Sequence, residues 1–89
     1  MKAVISVIGK DTVGILAGIA QECAAHNANI TEVTQSVLGD LFCMIMLCDA
    51  SGLDIAFADF AAKLAAWGDT HHLSVHAMHE GIFNAMHRI

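Results

Sequence analysis

Basic residues are scarce in this chain. Its 89 residues include four Lys and Arg against nine Asp and Glu, which gives a net charge of −5, and the basic residues form no cluster. Proteins that bind nucleic acids need a positive surface to meet the phosphate groups. The composition therefore argues against direct binding to DNA or RNA.

Long apolar runs are also missing. The longest uncharged apolar run, Leu41 to Cys48, is far shorter than the roughly 20 residues of a membrane-spanning helix. Asp11 interrupts the N-terminal stretch in which a signal peptide would be continuously apolar. We expect a cytoplasmic protein that makes no contact with a membrane.

Cysteines are few and their spacing is not that of a metal or disulfide framework. Cys23, Cys43 and Cys48 are an odd number, contain no CxxC pair and lie among apolar or small residues. We interpret them as reduced, buried, small hydrophobic residues rather than redox or metal-binding groups.

Charge of either sign is limited, at 15% of the residues, whereas hydrophobic residues make up 56%. Average proteins carry about 25% charged residues, and a single small domain leaves about 35 to 40% of its unfolded surface exposed. We expect one domain spanning residues 1–89 whose apolar surface is partly buried by another chain.

Hydrophobic periodicity predicts a short series of strands and helices. These are a strand at 2–8, a helix at 13–26, strands at 30–38 and 41–48 joined by a turn at 39–40, a helix that ends near Gly68, a strand at 71–78 and a short helix at 80–89. The βαββαβ order predicts an α+β, ferredoxin-like sandwich, with a four-stranded antiparallel sheet and two helices on one face.

Helix ends are predicted from the residues that favour them. Asp11 or Thr12 is expected to cap the first helix and Asn27 to end it in a left-handed conformation, while Ser51 or Asp54 is expected to cap the second.

The strand at 41–48 is apolar on both of its alternating sides. Two helices cover only one face of a four-stranded sheet, and a large bare apolar patch is uncommon on a monomer. We therefore expect a second copy of the chain to cover it, and the sequence is compatible both with sheets packed face to face and with sheets joined side by side into one larger sheet.

The stretch VIGKDTVGILAGIA places a glycine-rich turn between the first strand and the first helix. Gly14 permits close approach of a ligand, and the first turn of a helix offers free N–H groups that suit a carboxylate. From the residues alone, the same glycines also fit a plain tight connection.

The segments KDTVGILAGIA and NANITEVTQSVLGDLFCMIMLCDA resemble the ACT domain, a small regulatory module of amino-acid metabolism. The opening MKAVISVIGKDTVGI, the hairpin VLGDLFCMIML and the ending IFNAMHRI are similar to stand-alone single-ACT proteins, which are related to the ACT units of the glycine cleavage system repressor. The resemblance implies a homodimer that binds a small amino acid at an interface between domains and acts on a regulated enzyme or other effector protein.

The resemblance also implies a ligand site in the loop after the first strand and at the start of the second. In it, Asp11 meets the ligand amino group, Gly14 takes the place of the family glycine, and Asn29 comes from across the interface. The whole set is Lys10, Asp11, Thr12, Val13, Gly14, Ile15, Asn29 and Ile30. Ile15 and Ile30 would wall the pocket, and the N–H groups near Val13 and Gly14 would face the carboxylate. Val13 stands where the family commonly has proline, which implies a looser start to the helix.

Four histidines between residues 71 and 79 raise the alternative of a metal sensor. His72 and His76 would share one face of a strand, while His71 points to the other face and His79 falls beyond the strand. A related ferredoxin-like fold hosts nickel in a transcriptional repressor, and by that resemblance His72, His76 and Cys43 or Cys48 are the candidate ligands. We expect no cofactor and no specific metal site, because histidines on a solvated face or at an interface explain the pattern.

No arrangement typical of catalysis is present. The serines lie on strands or at a helix cap, and the acidic residues are scattered over helices and turns. We therefore expect a protein that is not an enzyme, with a structural or interaction dimer that lacks a ligand as the other alternative.

Overall fold

Six elements make up the fold in a computed structural model that describes residues 1–10 and 14–82. In chain order they are β1 (Lys2–Lys10), α1 (Ile15–Ala25), β2 (Asn29–Leu38), β3 (Leu41–Asp49), α2 (Phe57–Thr70) and β4 (Leu73–His79). The βαββαβ order is the one that the hydrophobic pattern predicts. The backbone at 80–82 is helical, and the remainder of the predicted terminal helix lies outside the described residues.

The four strands form one antiparallel sheet in the order β2-β3-β1-β4. β1 is central, and Val7 lies opposite both Met44 of β3 and Val75 of β4. Alternate residues of β1 belong to the same buried cluster as residues of both helices, so the helices cover one face of the sheet. The prediction of a ferredoxin-like sandwich is confirmed.

The core lies between this sheet face and the helices. Ile5 of β1, Met46 of β3, Ile19 of α1 and Phe60 and Leu64 of α2 are all completely buried. Burial of one such side chain is worth about 1.5 to 3 kcal/mol, so this layer supplies most of the stability.

The start of α1 differs from the prediction, whereas the left-handed residue after its end agrees with it. The helix begins at Ile15 rather than Val13, and its N-cap residue is Gly14, which makes no side-chain cap. The predicted caps Asp11 and Thr12 lie outside the described residues. At the other end, Asn27 has φ 63°, which confirms the left-handed stop.

The predicted ends of α2 are wrong. The helix begins at Phe57, and its N-cap residue, Ala56, makes no side-chain cap. The side chains of the predicted caps bind other groups, since Ser51 donates to Asp49 and Asp54 accepts from His26. The helix continues past Gly68 to Thr70.

Gly68, near the end of α2, has a packing role that the sequence pattern does not indicate. A Cβ atom on Gly68 would lie 2.6 Å from Cγ2 of Val75 and 2.9 Å from the carbonyl oxygen of Leu73. The glycine therefore allows the last turns of α2 to approach β4 closely.

The open face of the sheet carries exposed apolar side chains. On β3, Met44 and Met46 are buried under the helices, while Ile45 between them points to the other face and is 38% exposed. Ile8 of β1, on the same open face, is 44% exposed. The predicted two-sided apolar character of β3 is confirmed.

β2 is an edge strand that the helices barely cover. Nine of its ten residues are exposed, and Ile30 is the half-buried one. Val33 and Val37 point to the helix side of the sheet because they pair with Met46 and Phe42, yet they are 38% and 66% exposed. The strand is thus held to the chain mainly by its ladder with β3.

Candidate functional site

The loop after β1 is framed by Lys10 and Gly14. Gly14 has φ 81°, a left-handed conformation that favours glycine, and its carbonyl oxygen accepts the N–H of Gly18 to begin α1. An added Cβ on Gly14 would meet no atom of the described residues within 4 Å. Three members of the predicted site, at positions 11, 12 and 13, lie outside the described residues.

Ile15 and Ile30, which the resemblance implies as pocket walls, both pack against the core. Ile15 is 4% exposed and belongs to the main core, and Ile30 is half-buried and packs against that core. Their side chains therefore serve the interior of the fold in this chain.

Lys10 pairs with a residue that the sequence analysis did not place in the site. Its Nζ atom lies 3.3 Å from Oδ2 of Asp40, in the turn between β2 and β3, and the two side chains are 73% and 79% exposed. Register explains the approach, since Lys10 lies opposite Leu41, the residue after Asp40. The sequence pattern assigns Asp40 only to a turn, and the strand order brings it beside Lys10.

Asn29 lies at the far end of the sheet from this loop. It pairs with Asp49, which pairs with Lys2 at the start of β1, whereas Lys10 is at the end of β1. Eight residues of β-strand at about 3.3 Å each separate the two ends by about 26 Å. Within one chain, the structure does not bring Asn29 to the rest of the predicted site.

Polar groups around Asn29 hold the turn that follows β3. The carboxylate of Asp49 accepts the hydroxyl of Ser51 at 2.6 Å and its N–H at 2.9 Å, and the amino group of Met1 donates to the Ser51 hydroxyl. These hydrogen bonds, led by the one from the hydroxyl, lower the pKa of the Asp49 carboxyl below its ordinary value.

A second set of contacts ties the end of α1 to the segment before α2. Nδ1 of His26 lies 2.9 Å from Oδ1 of Asp54, and the side-chain amide of Asn27 donates to the carbonyl of Gly52. The His26 ring also meets Phe60 edge to face. These contacts fix the position of the loop between β3 and α2.

The histidines of the 71–79 segment contact different groups. His71 stacks on Trp67, His79 stacks on Phe57, and Nε2 of His76 lies 3.0 Å from the Ser74 hydroxyl. His72 has φ 58° and precedes β4, so the predicted shared strand face of His72 and His76 is wrong. The prediction that His79 falls beyond the strand is also wrong, because His79 is its last residue.

Cysteine chemistry gives no support to a metal or redox site. Cys23 and Cys48 are buried, and burial raises the pKa of the Cys23 thiol to about 12 and also raises that of Cys48. Cys43 is half-buried, and all three thiols are free. Among residues 1–10 and 14–82, no three or more His, Cys, Asp or Glu side chains are arranged to hold a metal ion.

Among the described residues, no helix combines the length and the apolar character needed to cross a membrane.

Comparison with known proteins places this fold and loop in a family. The sequence model of the ACT domain matches residues 2–78. The chain belongs to the ACT domain family. Relatives named UPF0237 proteins match over essentially their whole length. One from Listeria monocytogenes is 43% identical over 89 residues, which cover 100% of both chains. Another, from Methanocaldococcus jannaschii, is 43% identical over 88 residues, which cover 99% of this chain and 98% of its own.

Solved structures agree with the family. An ACT domain protein from Streptococcus pneumoniae superposes with a TM-score of 0.81 at 32% identity, covering 93% of each chain. The structure of a proposed glycine cleavage system transcriptional repressor gives a TM-score of 0.70 at 22% identity, covering 86% of this chain and 44% of its own. At that identity the second likeness shows the shared fold. The ACT domain is a regulatory, ligand-binding type of module, and the predicted family is confirmed.

Proposed function

We propose that this protein is a cytoplasmic, non-enzymatic regulatory module that binds a small amino acid at the interface of a homodimer. The observation that carries the proposal is the separation of Asn29 from Lys10 and Gly14 within one chain. A site that needs both parts is incomplete in a single protomer, and a second copy can supply the missing part.

The exposed edge of β2 offers a way to join two copies. An edge strand presents unpaired backbone N–H and C=O groups, and two identical edges pair antiparallel about a two-fold axis. Such pairing sets the Asn29 end of one β2 beside the Leu38 end of the other. The partner's Asn29 then lies on the same end of the joined sheet as Lys10 and Gly14.

The side chains along this edge suit contact with a second copy. Glu32 is the one charged residue of β2, and Val33, Val37 and Leu38 are exposed. Leu16 of α1 is also 40% exposed. Edge strands that remain free are usually protected by lysine, proline or a short length, and β2 has none of these.

The chemistry of the loop matches an amino acid. The first turn of α1 carries the positive end of the helix dipole, and its N-cap, Gly14, has no side chain that could accept from the free N–H groups, so a ligand carboxylate suits that place. Lys10 adds a positive charge beside the loop, and Asp11 would receive the ligand amino group.

Regulation requires the ligand to favour one arrangement of the dimer over another. A ligand that touches both protomers satisfies this condition, because it binds only when the two halves of the site meet. A regulated enzyme or another effector protein would then recognise the altered dimer.

A second candidate is an interaction dimer without a ligand. The exposed apolar side chains of the open face and of β2 favour it, since both surfaces suit contact with protein. The dispersed histidines give the metal sensor less support.

The deciding experiment measures melting temperature against a panel of L-amino acids, with zinc and nickel in separate wells. A ligand at about 100 times its dissociation constant adds about 2.7 kcal/mol to the stability of the folded state, which is a readily measured shift in a domain of this size. A shift with one or a few amino acids supports the proposed function. An unresponsive amino-acid panel favours the interaction dimer, and a response confined to the metals favours the sensor.

A variant of Gly14 tests whether the responding amino acid binds at the loop. Replacement by alanine at φ 81° strains the backbone and fills the space beside the N–H groups, so we expect affinity to fall at least tenfold. Asn27→Ala is the matched control, because Asn27 has φ 63° at the other end of α1 and lies outside the proposed site. Equal affinities for the two variants would argue against this loop as the site.

A further inference from the structure

We propose that two copies of the chain join through residues 32–38 of β2 in one register, with the two-fold axis beside Gln35. The inference rests on the proposed function, which joins the copies at the edge of β2, and it adds which residues meet across that edge. It is carried by the regular part of the strand, by the exposed side chains along it and by a near-symmetry of its sequence.

A bulge near the start of β2 separates its first residues from a regular segment. The ladder with β3 shifts register between Ile30 and Glu32 and then runs without interruption to Leu38. Gln35 is the middle residue of this segment. A bulge bends a strand and interrupts its pairing, so residues 32–38 are the part of the edge that a second strand can follow.

The sequence of this segment, EVTQSVL, is nearly symmetric about Gln35. Thr34 and Ser36 flank Gln35 directly, and Val33 and Val37 lie one position further out. A two-fold axis lays a strand antiparallel to its own copy, so it pairs positions at equal distances from the axis. With the axis beside Gln35, similar side chains therefore lie opposite each other.

Both faces of the joined sheet gain matched pairs in this register, because directly opposite residues share a face. On the helix side, Val33, 38% exposed, lies opposite Val37 of the second copy, 66% exposed, and the same pair forms again across the axis. On the open side, the exposed hydroxyls of Thr34 and Ser36 lie opposite each other. Apolar pairs and hydroxyl pairs are both favourable between neighbouring strands.

Other positions of the axis lose these pairs. An axis beside Thr34 or Ser36 sets one valine opposite Gln35 and the other beyond the regular segment. An axis beside either valine pairs that valine with itself and also sends the other beyond the segment. An axis beside Glu32 sets two carboxylates opposite each other, whereas the axis beside Gln35 separates them by about 20 Å of strand. Only the axis beside Gln35 gives both valines an apolar partner.

This register also determines what lies beside the start of β2. Glu32 lies opposite Leu38 of the second copy, so Asn29 lies beside the turn at 39–40 that follows Leu38. That turn is at the same end of the sheet as Lys10. The register thus brings Asn29 of one copy to the end of the other sheet from which it is separated within a single chain.

Disulfide crosslinking of the full chain measures the register. Directly opposite residues of antiparallel strands have Cα atoms about 4.5 to 5.5 Å apart, within the range of about 4.4 to 6.8 Å that a disulfide allows. Gln35→Cys should therefore link to itself across the axis. Val33→Cys or Val37→Cys alone should not, because about 13 Å of strand separates each residue from its own copy.

A mixture of the Val33→Cys and Val37→Cys proteins should form links after subunit exchange, because the two positions lie opposite each other. Under mild oxidation, this mixture and Gln35→Cys should each form linked dimers about tenfold or more faster than either valine variant alone. Non-reducing gel electrophoresis measures the rates.

Two controls remove other sources of crosslinks. Every variant also carries Cys43→Ser, because Cys43 is half-buried whereas the other two native thiols are buried. Ile45→Cys places a thiol on the open face, away from the β2 edge, and should link no faster than the valine variants alone.

The outcomes separate the two proposals. If the protein is dimeric and Gln35→Cys does not link, the register is wrong, whichever other position links, and the proposed function stands. Fast linking of Val33→Cys or Val37→Cys to itself would likewise overturn the register. If sedimentation shows the wild-type protein to be monomeric, both proposals are wrong, because the proposed function requires two copies.

Discussion

Lys10 and Asn29 lie at opposite ends of the sheet, about 26 Å apart by strand length, although both belong to the predicted site. The separation leads to a test by subunit complementation. Gly14→Val and Asn29→Ala should each abolish or strongly weaken amino-acid binding in homodimers, because each removes one half of both sites.

Mixing the two variants should restore part of the binding. A mixed dimer holds one site with both defects and one site with neither, so random exchange of subunits restores about a quarter of the sites. Titration calorimetry of the refolded mixture measures this fraction. No recovery in a mixture that mass spectrometry shows to contain mixed dimers would place the whole site within one protomer.

The surface that joins the two copies can be identified with two matched variants. Val37, 66% exposed on β2, and Ile45, 38% exposed on the open face, are both apolar side chains on strands. If the β2 edges pair, Val37→Lys should weaken the dimer at least tenfold in sedimentation equilibrium, and Ile45→Lys should have a small effect. The reverse result would indicate that the sheets pack face to face.

Much of the fold follows from local sequence pattern. The alternation of β3 predicts that its apolar side chains divide between two faces, and Met44 and Met46 lie together under the helices while Ile45 is on the other face. Asn27 likewise ends α1 where its tolerance of a left-handed conformation predicts. These features depend on residues close together in sequence, so periodicity is enough to find them.

The predictions fail for residues whose side chains contact segments distant in the sequence. Asp54 is a good cap residue by type, but its carboxylate binds His26, 28 residues away in the chain, and α2 begins without it. Asp40 meets Lys10 only because β1 and β3 are neighbours in the sheet. Sequence pattern predicts the elements, and such pairings require the register of the sheet.

Gly68 provides a test of how closely α2 packs on β4. Gly68→Ala should gain about 1 kcal/mol from helix propensity, but its Cβ would overlap with Val75 and the Leu73 carbonyl, and overpacking of this kind costs about 1 to 3 kcal/mol. Because one clash involves backbone, we expect net destabilisation of about 1 kcal/mol in urea unfolding. Gly81→Ala, where no atom of the described residues lies within 4 Å of the added Cβ, is the control; because residues 80–82 are helical, we expect it to keep a gain from helix propensity without the cost of overpacking.

The lowered pKa of Asp49 determines how this residue contributes to the stability of the fold in acid. Its pKa is lowered in the folded protein, first by the hydrogen bond from the Ser51 hydroxyl, so the folded state binds this proton less readily than the unfolded chain does. The stabilisation is therefore fully present above the unfolded pKa of about 4 and is lost as the pH falls through the lower, folded value.

Urea unfolding between about pH 6 and pH 2 measures this contribution. Asp49→Asn should lose less stability over that range than the wild-type protein, and Ser51→Ala should lie between them, because it removes the hydroxyl donor and keeps the backbone N–H donor. Asp59→Asn, which changes the same charge on the exposed side of α2, should follow the wild-type curve more closely. Identical pH dependence in the wild-type protein and Asp49→Asn would mean that the turn after β3 is held without the charge of Asp49.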